Sequence, residues 1–238
     1  MHSVVNFERQ LELIPTFEKN KSMNIELLVS FMLASFALAC SPGPDNIFVL
    51  TQSIVNGRKF GLATVYGLIS GCLVHTSLLA FGVSAILKAS EQLFFGIQIF
   101  GGMYLLFLAY RVFKSDASIL LSKEKATKET TLQLFQQGFL MNVLNPKVSI
   151  FFLAFFPSFL FSNHLDTVVQ FYVLGGLFML VSFVVFAFIA ILSGSISEKI
   201  QQYKNIGVYL QWTQIVVFVA IASYILYAPL LSIIVSLK

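Results

Sequence analysis

Two ionisable residues, Asp45 and Lys147, stand inside long apolar stretches of this chain, each directly after a proline. Asp45 belongs to the run Ser41-Pro42-Gly43-Pro44-Asp45-Asn46, and Lys147 to the run Asn145-Pro146-Lys147. A buried carboxylate can accept a proton or hold an ammonium group, and a buried ammonium can draw in a carboxylate. Together they suit a zwitterion, and as opposite charges they can also meet each other. Prolines 42, 44 and 146 add to this by removing backbone donors, which leaves carbonyls unpaired where a helix would otherwise continue. Asn46, Asn142 and Asn145 supply neutral donors and acceptors beside the two breaks. His75 is a third ionisable group within an apolar stretch.

Each of these residues also has a plainer reading. Gly43-Pro44-Asp45 can simply start a helix, with proline in its first turn and a carboxylate at the positive end of the dipole. Asn145-Pro146 likewise resembles an N-cap followed by proline at the first helical position. Lys147 fits that scheme badly, because a cation is disfavoured at a helix N-terminus. Something must compensate it, either Asp45, a bound carboxylate, or water reached by snorkelling. His75 suits an interhelical hydrogen bond and a proton relay equally well.

The elements that carry these residues follow from composition. Of the 238 residues, 57% are hydrophobic and 11% charged, and the mean hydropathy is +0.84. Soluble domains carry roughly 25% charged residues, so a water-soluble fold is excluded. Segments of about 20 apolar residues are long enough to cross a bilayer. Here they run approximately over 25–55, 60–87, 93–112, 139–161, 168–192 and 208–235. The expected fold is therefore an all-α polytopic membrane protein with six transmembrane helices. The polar loop over about 113–131 divides them into three and three. An odd number of spans per half inverts one half relative to the other, and the breaks at Pro42-Pro44 and Pro146 then fall in helices 1 and 4, the first of each half. Paired interruptions of this kind mark a transport site near the bilayer midplane.

Charge in the loops bears on orientation. One face would hold Arg9, Lys19, Lys21, Lys88 and Lys238, and the other Arg58, Lys59, Arg111, Lys114, Lys123, Lys125, Lys128, Lys199 and Lys204. Basic loops stay cytoplasmic, so both termini are expected outside. Residues 1–22 form a polar extension without the apolar core of a secretory signal, and Met23, directly before the first span, is an alternative start. The transporter domain is then 23–238.

Other chemistries lack their residues. There is no HExxH, Walker A or GxSxG motif, no metal-site constellation and no basic surface for nucleic acid, so neither an enzyme nor a cofactor or metal is expected. Cys40 and Cys72 both fall in predicted spans and are not in a CxxC. They suit small apolar packing residues, and the alternative is a membrane thiol-redox carrier in which they would meet. Gly67 and Gly71 form a GxxxG that favours close helix packing. Tyr203, Tyr209 and Trp212 suit an interfacial anchor.

The two breaks resemble the signatures of the LysE/RhtB family of bacterial amino-acid exporters. After the Ser41–Asn46 run come Asn56-Gly57-Arg58-Lys59-Phe60-Gly61, Gly67-Leu68-Ile69-Ser70-Gly71, His75 and Gly101-Gly102-Met103-Tyr104-Leu105. Gly138 to Lys147 is similar to the fourth-span signature, and the likeness covers approximately 25–237. The resemblance implies export of an amino acid or derivative across the bacterial inner membrane by alternating access with proton antiport. The partners implied are the amino acid, protons and membrane lipid, with a homo-oligomer compatible. The threonine/homoserine-type branch is the nearer one by this likeness.

Overall fold

The computed structural model describes residues 24–41, 43–115, 129–193 and 206–236. The extension 1–22, Pro42, most of the 113–131 loop and Tyr203 lie outside the described residues. All elements among those described are helical. They are α1 (Ile25–Cys40), α2 (Pro44–Val55), α3 (Arg58–Leu78), a π turn (Leu79–Val83), α4 (Ser84–Ala89), α5 (Glu91–Lys114), α6 (Thr131–Val143), α7 (Pro146–Phe155) with a 3-10 turn (Phe156–Phe159), α8 (Thr167–Ile191) and α9 (Ile206–Ser236).

Four helices are long and apolar enough to cross a membrane: Arg58–Ile86, Gln92–Lys114, Thr167–Ile191 and Gly207–Tyr227. Two bent pairs bring the spans to six, α1 with α2 at 59° and α6 with α7 at 49°. With each bent pair counted as one span, the described helices match the six-span, twice-interrupted architecture expected from the sequence. Apolar side chains cover its outside: Leu33, Phe81 and Phe188 are each more than 60% exposed, which water would not tolerate over such an area but lipid does.

Local sequence sets the ends. Asn24 caps α1, its Oδ1 accepting from Leu27 N at 3.2 Å. Gly57 takes φ +100, where an L side chain would be strained, and so turns the chain from α2 into α3. Thr130 and Gln133 form a capping box that starts α6. That start lies eight residues before the apolar block beginning at Phe139, since Gln133, Gln136 and Gln137 hide the helix from hydropathy. Gln211 of α9 donates to Val112 O at 2.7 Å and Ser115 O at 2.8 Å, closing the C-terminus of α5. Trp212 is exposed and packs edge-on against Phe113 near the same end.

The helices associate in pairs that map onto one another when the halves are exchanged. α3 packs on α6 as α8 packs on α1, α3 meets α8, and α5 meets α9. Small residues permit the closest of these. A Cβ on Gly67 would strike the backbone of Phe135, and one on Gly138 would strike the Thr64 carbonyl. The Gly67/Gly71 pair is thus a packing device, as expected of it. The core beside this contact is aromatic: Phe31, Phe151, Phe152, Phe155, Phe156 and Phe178 interlock, with centroids 4.0 Å apart for Phe152–Phe156 and 4.8 Å for Phe31–Phe156. Offset and edge contacts of this type add about 1 kcal/mol each to the burial of the rings.

Candidate functional site

The two breaks share one register. Gly43 is the N-cap of α2, Pro44 its first residue and Asp45 its second. Asn145 is the N-cap of α7, followed by Pro146 and Lys147 in the same positions. Both charged residues therefore leave the first turn of a helix that restarts inside the membrane, and both reach one narrow cavity.

Asp45 is 8% exposed. Its Oδ2 accepts from Asn145 Nδ2 at 2.9 Å, whereas its Oδ1 is buried without a hydrogen-bond partner. Asn145 is a two-handed residue, because its Oδ1 simultaneously accepts from Lys147 N at 3.0 Å. One side chain thereby fastens the carboxylate of the first break to the backbone of the second.

Lys147 and Asp45 do not form a direct ion pair. The ammonium instead donates to Ser41 O at 3.2 Å and Leu38 O at 3.5 Å, and sits 5.3 Å from the Phe218 ring centroid. The reason is the break itself. Interrupting α1 leaves lone pairs open on its last carbonyls, Leu38 O still accepting from Ser41 N at 3.2 Å, at the negative end of the α1 dipole. A cation placed at the wrong end of α7 is thus answered by the right end of α1. Asn46 completes the arrangement by donating to Ala39 O at 2.8 Å.

Asn142 lies at the end of α6, buried at 3% exposure. Its carbonyl accepts from His75 Nε2 at 3.0 Å, and its Oδ1 is 3.6 Å from the Cys72 thiol. His75 therefore makes the interhelical bond and packs on Phe152, with centroids 5.4 Å apart. It does not line the cavity. Cys72 does line it, while Cys40 is exposed on the outside of the bundle, and both thiols are free.

The far wall was not foreseen. Phe178, Ser182 and Phe186 of α8 project into the cavity from one helical face, with Leu38, Ala39 and Val148 completing the apolar lining. Ser182 is the one polar side chain in the run 173–192 and so marks that face in the sequence, but it was not among the residues expected at the site. Gly43 stands close to the cation: a Cβ there would lie 3.6 Å from Lys147 Nζ. No group of three or more His, Cys, Asp or Glu that could hold a metal occurs among the described residues.

A bundle of six spans, two of them broken around a buried acid and a buried base, belongs to the class of membrane transporters with discontinuous helices. Comparison narrows the class. The family model for LysE type translocators matches residues 36–236, and the chain is a member of that family. It is 29% identical over 169 residues to the leucine efflux proteins of Salmonella typhimurium (strain LT2) and Salmonella typhi, covering 70% of this chain and 78% of each relative. No solved structure matches. These relatives lend no support to the leaning towards a threonine/homoserine branch.

Proposed function

We propose that the protein exports a neutral aliphatic amino acid across a bacterial inner membrane, with the cavity between the two breaks as the substrate site. The free Oδ1 of Asp45 is the observation that carries this reading. A carboxylate oxygen left unpartnered in an apolar bundle is costly unless a ligand or proton takes it. Asp45 holds the substrate ammonium or, in its absence, a proton. Lys147 and the opened start of α7 attract the carboxylate, and the apolar lining from α1, α7 and α8 accepts an aliphatic side chain. The leucine efflux relatives agree with that side-chain class.

Export proceeds by alternating access. Each bent span has an independent inner and outer segment, so the bundle can rock about the two breaks while Asn145 and Lys147 keep them in register. Asp45 takes a proton from outside and releases it inside, coupling inward proton flow to amino-acid exit. The excess of basic residues in the opposite loops supports a topology with both termini outside.

The test loads cells with a panel of dipeptides and measures efflux of the released amino acids with and without the protein, then with an uncoupler. Leucine-type efflux that the uncoupler stops is expected. Asp45→Asn should abolish coupled efflux with the protein still in the membrane, and full proton-driven export by that variant overturns the assignment.

A further inference from the structure

Ser182 has a hydroxyl with no protein partner. Its residue is 1% exposed, its Oγ is buried and unbonded, and it lines the cavity between Phe178 and Phe186. Ser84 of α4 is likewise buried and unbonded but does not line the cavity, whereas six other helical hydroxyls behave differently. Ser35, Ser53, Thr64, Ser70, Thr76 and Thr213 each donate to the carbonyl four residues earlier, at 2.7–3.2 Å. That back-bond is the ordinary way for a hydroxyl to satisfy itself in a membrane helix. For Ser182 the corresponding acceptor is the Phe178 carbonyl, and it is not used.

From this we infer that Ser182 is a direct substrate contact, donating its hydroxyl to the carboxylate of the transported amino acid. The inference rests on the export reading above. Its chemistry follows from the other polar groups of the cavity. Asp45 offers an acceptor and so repels a carboxylate. Lys147 already divides its donors between Ser41 O and Leu38 O, and one of the two Asn46 Nδ2 hydrogens goes to Ala39 O. A carboxylate has about four lone-pair sites to satisfy, more than a partly engaged ammonium fills. A hydroxyl held free on the facing helix provides a further donor. Phe178 and Phe186, one turn to either side, exclude water from that bond and strengthen it. The contact also ties α8 to the broken helices only when substrate is present.

The experiment uses the full chain in lipid nanodiscs and measures binding of L-leucine, with isoamylamine (leucine lacking its carboxylate) as competitor. Ser182→Ala should weaken L-leucine binding about tenfold or more, the usual effect of losing a hydrogen bond to a charged group. Ser182→Cys, which keeps the volume with a weaker donor, should fall between. Isoamylamine should compete equally well at wild type and Ser182→Ala. Ser35→Ala, which removes a back-bonded hydroxyl elsewhere, should leave binding unchanged. Unaltered L-leucine affinity in Ser182→Ala, or an equal loss for isoamylamine, overturns the contact. A wild-type chain that binds none of the neutral amino acids overturns both the export reading and the contact, whereas wild-type binding with an insensitive Ser182 overturns the contact alone.

Discussion

Replacing Asn145 separates two effects that one side chain now combines. Its Oδ1 caps α7 through Lys147 N at 3.0 Å, and its Nδ2 holds Asp45 Oδ2 at 2.9 Å. Serine can still cap a helix but is too short to reach Asp45 as well, so Asn145→Ser removes only the clamp. Asn145→Ala removes both. Loss of a cap costs about 1 kcal/mol, and loss of a hydrogen bond to a charged group about 1.5–3 kcal/mol. The alanine variant should therefore be about 1 kcal/mol less stable than the serine variant, and both less stable than wild type. Thermal unfolding of the purified protein in detergent checks the order. Transport should divide the variants differently: proteoliposome efflux falls alike in both, because both release the Asp45 carboxylate from the second break. A double-mutant cycle with Asp45→Ala should give a coupling of about 1–2 kcal/mol, the upper range for interhelical hydrogen bonds in membranes. Wild-type efflux by Asn145→Ser, or a coupling near zero, refutes the idea that the amide joins the breaks functionally.

Gly138→Leu should abolish recovery of monodisperse protein, since its side chain would meet the Thr64 carbonyl where α3 and α6 touch; Gly176→Leu, with open space at the same atom, should purify normally. Cys40 is exposed and Cys72 buried, so a membrane-permeable maleimide should label the first and spare the second in folded protein. Cys40→Ala should export as wild type does, and loss of export there would revive the thiol-redox alternative.

Much of the architecture was legible because hydrocarbon enforces simple rules. Six apolar blocks, proline at two of them and glycine at close crossings each follow from backbone hydrogen bonding and helix contact. The start of α6 escaped, because three glutamines interrupt the apolar signal while a capping box, readable at Thr130–Gln133, continues the helix. At the site, the charged residues announced themselves by rarity, yet their partners did not. The sequence left Asp45, a bound carboxylate or water open as the partner of Lys147, whereas carbonyls ending α1, which carry no side-chain signature, take the ammonium. Ser182, the one polar side chain in the run 173–192, was a signal passed over, because a lone serine in a membrane helix is ordinarily absorbed by its own backbone.

The two breaks also satisfy each other in an unequal way, and the inequality matters for transport. Asp45 suits the helix it begins, since a carboxylate belongs at a positive dipole end. Lys147 does not suit its own helix and depends on the carbonyls that end α1. Its bonds there, at 3.2 and 3.5 Å, are long for an ammonium. A substrate carboxylate offers the same cation a charged acceptor and shorter bonds. On the proposed reading the ammonium shares its donors between the α1 carbonyls and the substrate, and its hold on the bend between α1 and α2 weakens accordingly. If the cavity is the substrate site as proposed, substrate at the second break loosens the first, while Asn145 keeps the two aligned. In this arrangement binding energy is directed into the hinge itself, which is what a carrier needs if the loaded site is to change the side to which it opens.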